Sequence, residues 1–217
     1  MATPRKWSNV AVAMQSTLSA PVAITAITQA NPGVVTTGSA HGWSNGSFVL
    51  LIVQGMSQVN GRVFRITAAS GSVFTLEGEN TTNYSAFSAT GSTAALITFG
   101  TTLTTATTIS ASGGGFDTID TTTIHDLQRS SIAGLAQETA FEFDNVWDVA
   151  DAGLIAMRAA YLAQGNRAFR FTFGAGGQIM VFNGAVAANL LPQGEAQGLV
   201  TTPARISLQG EPTYYAS

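Results

Sequence analysis

Few residues of this chain could do covalent chemistry, and their spacing works against it. His125 stands beside Asp126, as a general base held by a carboxylate would. In an extended segment, however, adjacent side chains point to opposite faces and diverge. His41 sits between Ala40 and Gly42 in a turn with no second histidine nearby, so a turn hydrogen bond is a simpler use for it than metal or acid-base work. Gly113, Gly114 and Gly115 could cradle a phosphate, but neither a Lys-Ser/Thr pair nor a helical pattern follows them. There is no cysteine, which removes disulfides, thiolate nucleophiles and thiolate zinc sites together. No nucleophile-base pair, ligand cluster or paired carboxylate can be assembled from these spacings, so neither an enzyme nor a cofactor is expected.

What the composition favours is a covered surface. Only 10% of the 217 residues are charged, against about a quarter in an ordinary soluble domain. Either hydroxyls keep a Thr-rich β-protein soluble, or much of the surface is buried in an assembly. The net charge of -3 is uneven: residues 117 to 151 hold eight acids and one base, Arg129. With a single lysine in the chain, no basic nucleic-acid face is expected. No run reaches the roughly 18 to 20 apolar residues of a membrane span, and MATPRKWSNVAV lacks a signal-peptide core, so synthesis in the cytoplasm is expected.

The elements that must position these residues are mostly strands. Trp7 to Met14 alternates as a first strand, and Leu18 to Pro21 marks a junction. Residues 22 to 95 are short apolar runs split by NPG, HGWSNG, QGMSQVNG and ASG, the pattern of a small β-barrel or sandwich. Residues 96 to 111 are extended and Thr-rich. Glu138 to Asp144 alternates strictly, with Glu138, Ala140, Glu142 and Asp144 on one side and Thr139, Phe141 and Phe143 on the other.

One helix is expected, from Asp148 to Gln164, with Asp148 as N-cap and Gly165 as its stop. Leu154, Ile155, Met157, Tyr161 and Leu162 form its apolar stripe. Ala156, Ala159, Ala160 and Ala163 fall opposite, either because that side also meets protein or because alanine is the best helix former. In Ala168 to Phe173 the phenylalanines point inward, with Ala168, Arg170 and Thr172 outward. Gln178 to Ala187 follows, with Gly184 a bulge or bend. Leu199 to Gln209 is the last strand, where Pro203 implies an edge or a bulge.

Several ordered segments carry a family likeness. FDTIDTTTIHD, the IAGL of Ile132 to Leu135, the strand after it, the capped helix, AFRFTF and the closing VTTPARISLQGEPTYYAS resemble the tail tube (major tail) proteins of long-tailed, siphovirus-type bacteriophages over about two thirds of the chain. The resemblance implies a mainly β fold: an antiparallel sandwich or barrel with one flanking helix, made of residues 1–21 and 96–217. Within it, an arm at 112–135 reaches the next ring through Phe116, Asp117, Ile119, Asp120, Thr122, Ile124 and Asp126. It further implies hexameric rings stacked into a tube in the virion tail and assembled in the bacterial host cytoplasm. Implied partners are copies of itself, a tape measure protein, tail tip and tail terminator proteins, and viral DNA passing through without specific binding.

Residues 22–95 are then an inserted all-β domain on the tube exterior. HGWSNGSFVLLIVQGMSQVNGRVFRI resembles the small module named for the first catalytic-cysteine half-domain of ubiquitin-activating enzymes, whose activity cannot carry over without a cysteine. Glu138, Glu142 and Asp144 are expected to face the lumen, because a duplex with about one negative charge per ~1.7 Å is repelled by an acidic wall. The competing expectation is a carbohydrate-binding β-rich adhesin or decoration protein. That would account for the insert but has no need of the low-charge arm.

Overall fold

The computed structural model describes residues 10–174 and 177–216. Trp7, read above as an anchor of the first strand, lies outside them. Short β-branched and aromatic runs punctuated by glycine give a mainly β protein. In chain order its elements are β1 (Val10–Leu18), β2 (Val22–Ile27), β3 (Val34–Thr37), β4 (Phe48–Gln54), β5 (Val63–Ser70), β6 (Val73–Leu76), β7 (Ser88–Leu103) and β8 (Ala106–Ser112). There follow β9 (Phe116–Asp120), β10 (Ser131–Ala136), β11 (Ala140–Val146), helix α1 (Ala152–Leu162), β12 (Asn166–Phe173), β13 (Ile179–Ala187), β14 (Thr201–Leu208) and β15 (Thr213–Tyr215).

Strands β2, β3, β6, β5, β4 and β7 pair in that order, and a β2–β7 pairing closes them into a barrel. Val35, Val49, Leu51, Phe64, Ile66 and Phe74 fill it and are buried completely. His41 serves the same unit: its Nδ1 accepts from the Trp43 N–H (2.9 Å), its Nε2 lies 3.2 Å from the Val73 carbonyl, and its ring packs on Trp43 and Phe74. Trp43 and Tyr84 rest against the barrel core.

Strand β7 does not stop at the barrel. Its first half pairs β2 and β4, while its second half pairs β1 from Ile97↔Leu18 to Leu103↔Val12. A single sheet then runs β7-β1-β12-β13-β14-β11-β8. It curls around a core of Phe143, Phe169, Phe171, Phe182, Met14 and Met157, on which α1 closes. The barrel sits on the other face of this sheet. Ala168, expected outward, is buried there with Val181, Tyr215 and the barrel's Phe48, Val63 and Ile97, so that β12 and β13 are covered on both sides.

The C-terminal strand fastens this seam. β15 pairs β13, the Thr213 hydroxyl donates to the Val63 carbonyl (2.7 Å), and the Tyr215 hydroxyl accepts from the Arg65 N–H (2.8 Å).

Four local expectations need correcting. The N-cap of α1 is Asp151, whose Oδ1 accepts from the Leu154 N–H (2.8 Å), whereas Asp148 accepts from Ala150 in the preceding turn. The helix ends at Leu162 with Ala163 as its C-cap, and Gln164, one residue before the expected stop Gly165, takes the left-handed conformation (φ 48°). Its core side consists of Gly153, Leu154, Met157 and Ala160, while Ile155, Tyr161 and Leu162 face outward. Gly153 is held to glycine because a Cβ there would come within 2.8 Å of Leu103. Gly184 is not a bulge, since β13 keeps register through it with β12 and β14. It is glycine because a Cβ would press on Ile206 at 2.7 Å.

Candidate assembly interface

The hairpin β8–β11 carries the arm. β11 pairs β14 on one side and β8 on the other, from Ala140↔Ser112 to Asn145↔Ala106. Among the described residues β8 pairs with β11 alone, so its second edge presents unpaired backbone donors and acceptors. At its end Gly113 and Gly114 both take positive φ (87° and 83°). A Cβ on Gly113 would lie 1.9 Å from the Glu138 carbonyl, so this turn admits no other residue.

Beyond it β9 and β10 pair only with each other, in the register Ser131↔Asp120, Ile132↔Ile119 and Ala133↔Thr118. All seven arm residues named from the sequence are exposed. Phe116 is 61% exposed, and Ile124 at the tip is 96% exposed. Leu127, Ile132 and Leu135 are equally bare and were not singled out above, although the apolar letters between polar ones were their signal. The tip itself is ordered by its acids. Asp120 accepts from Thr122 N–H (2.8 Å), and Asp126 Oδ2 accepts from Thr123 N–H (2.7 Å) and its hydroxyl (3.0 Å). These bonds stabilise the charged form and hold both carboxyls below the usual range. His125 is exposed beside them, its N–H directed at the Thr123 hydroxyl.

Glu142 and Asp144 share the outward face of β11. Ala140, placed with them by parity, is buried at the arm end of the strand. Glu138 precedes the strand and lies 3.7 Å from Arg205, which is also opposite Glu142 in register. The surrounding face is made of Thr108, Ser110, Ser112 and Pro203. Pro203 lies where β14 has lost β13 as a neighbour, since their pairing ends at Ala187↔Arg205. The missing proline donor is therefore harmless. The two strands part there around a cleft of about 390 Å³ lined by Glu142, Asp144, Arg205, Asn189 and Tyr161.

Of the four helix alanines, Ala160 lies in the chain's own core and Ala156 packs against it; Ala159 and Ala163 are exposed.

An open sheet edge and an arm with most of its apolar surface in solvent are the geometry of a chain that can pair with further copies. Residues 54–217 match the family of phage tail tube proteins, and the chain belongs to that family. The match begins at the end of β4 and so includes the later strands of the barrel as well as the arm and the curled sheet apart from β1. No curated protein matches the chain in sequence. No helix among the described residues is long and apolar enough to cross a membrane.

Proposed function

We propose that this chain polymerises as hexameric rings stacked into the phage tail tube, the conduit through which the genome enters the host. The observation that carries this reading is an arm, residues 112–135, whose apolar side chains Phe116, Ile119, Ile124, Leu127, Ile132 and Leu135 are each more than half exposed, attached to a strand with a free edge, in a member of the tail tube family. The β8 edge would join copies within a ring, and Phe116, Ile119, Ile124 and their neighbours would bind the adjacent ring. The hydroxyl- and acid-rich face of Glu142, Asp144 and the nearby Glu138 would line the lumen, where it repels a phosphate backbone.

The barrel of 22–95 would stand on the exterior as an inserted domain; the ubiquitin-activating-type likeness of its HGWSNG stretch belongs to this proposal. Tape measure, tip and terminator proteins would set the tube's length and ends, with assembly in the host cytoplasm before incorporation into the virion. Trp43 and Tyr84 are half-buried against the barrel core and lend the adhesin reading little support. Negative-stain microscopy of concentrated protein, alone or with its tail-tip complex, is the test. Tubes of stacked rings are expected, and uniformly separate particles under both conditions would overturn the proposal.

A further inference from the structure

The stacking proposal leaves open what the arm of one subunit meets, and the far end of β11 offers a surface built for it. There the Trp147 N–H donates to the Val200 carbonyl (2.9 Å) and its indole Nε1–H to the Leu190 carbonyl (3.2 Å). These two bonds hold the β11–α1 connection against the 188–200 loop. With the first turns of α1 they enclose a crevice of about 100 Å³ lined by Trp147, Val149, Leu154, Ile155 and Leu190. Val149 and Ile155 are more than half exposed although apolar. Such a volume equals roughly three waters at ~30 Å³ each, or one branched aliphatic side chain, and its lining favours the latter. Arg158 also lines the crevice, is exposed, and makes no ion pair among the described residues. Asp148 lines it too, but its Oδ1 is engaged by the Ala150 N–H.

The arm tip has the complementary form. Ile124 and Leu127 are fully bare branched aliphatics, and Asp126 between them is a fixed carboxylate. The two features lie at opposite ends of one strand: β11 starts at the arm and ends at the crevice, about 20 Å away at ~3.4 Å per residue. From Ser112 to Ile124 the chain can span at most about 40 Å, which exceeds that height. A knob at one end and a hole at the other also fit copies set in the same direction, one above the next. They make a head-to-tail contact that repeats along an axis.

Resting on the stacking proposal, we propose that this crevice is the seat for the arm tip of the next copy, with an aliphatic tip residue entering between Val149, Ile155 and Leu190, and Asp126 against Arg158. The full chain tests it by charge exchange. Asp126→Arg and Arg158→Asp should each lower tube yield at least tenfold by sedimentation and microscopy, and the double variant should recover most of it. The cysteine-free background allows a second readout that does not depend on charge. A chain carrying Leu127→Cys and Val149→Cys, assembled and then oxidised, should give a ladder of dimers, trimers and higher multimers on a non-reducing gel. Absence of both the rescue and the ladder, in variants that still form tubes, overturns the seat while leaving stacking intact. If Ile119→Ser and Ile132→Ser arms also leave tubes unchanged, the stacking role of the arm falls with it.

Discussion

The barrel of β2–β7 and the sheet that ends in β8 are written in the same alphabet of valine, threonine, alanine and phenylalanine, yet one is finished and the other is not. In the barrel the last strand returns to the first, every strand has two neighbours, and the apolar residues fill one sealed core apart from Phe48, Val63 and Ile97, which are buried in the seam. The curled sheet has a comparable core, but β8 keeps a free edge and the hairpin grown from it carries its apolar residues into the open. The difference is one of topology rather than composition. A chain with few charges can present such a surface only if copies cover it, because nothing else keeps the open unit from associating at random.

Cores should respond alike in both units, and strongly. Phe182 stacks between Phe141 (5.2 Å) and Phe169 (5.6 Å), and Phe74 is completely buried in the barrel. Phe182→Ala and Phe74→Ala are each expected to cost about 3–5 kcal/mol in chemical denaturation. Since β7 runs through both units and a third apolar cluster joins them, either variant should lower a single shared transition. Two separated transitions would make the barrel an independent attachment and break the comparison at its base.

The seam should be weaker. Thr213→Val removes the donor to the Val63 carbonyl while keeping shape, with an expected loss of about 1–3 kcal/mol. Tyr215 adds a pH signature there. Burial, the largest cause, raises its phenol above the ordinary value. An acid raised on folding is held in its neutral form, so its contribution is complete below the unfolded value of about 10 and is lost as pH rises through the folded one. Melting temperature should therefore fall on the alkaline side in the parent, and that fall should be smaller in Tyr215→Phe.

Helix capping comes next. Asp151→Ala should cost about 1 kcal/mol by loss of the Leu154 N–H acceptor, and Asp148→Ala measurably less, since Asp148 caps a turn and not the helix. Equal losses would return the cap to Asp148, where the sequence had placed it.

What could be read beforehand divides along physical lines. Period-two patterns in Phe169, Phe171 and Phe173 and in Phe141 and Phe143 marked their inward faces, because alternation is a local property of a strand. What covers the opposite face is not local: Ala168 and Val181 lie under a barrel contributed by residues far away in the chain, and no period records that. The continuation of β7 through residue 95 was hidden because a strand shared by two cores has no break in composition. In α1 the close approach of Leu103 fits Gly153, and Ala160 joins Leu154 and Met157 inside while Ile155 and Leu162 stay out, a choice that residue size does not announce. The arm was legible as a segment unable to make its own core, but Trp147, Val149 and Leu190 come together only through the fold, and single exposed aliphatics carry no signal of their neighbours.

The smallest effect on the isolated subunit is the most informative for the contrast between the closed and open units. Ile119 and Ile132 face each other across the arm, with more than half of each side chain in solvent. Replacing either with serine should change subunit stability by no more than about 0.5 kcal/mol, the usual range for an exposed site. Assembly should nonetheless be lost, because association is where those side chains are buried. The tip adds a dependence on acid. Bonds from Thr122 and Thr123 depress the Asp120 and Asp126 carboxyls, so their ordering of the tip is present above the unfolded value near 4 and disappears as pH falls through the folded values. Both are wholly exposed, so the signature belongs in local amide exchange at Thr122 and Thr123 and not in the global melt. A subunit that melted several degrees lower with serine at 119 would show that the arm is already seated on its own body, and the open unit would prove as complete as the closed one.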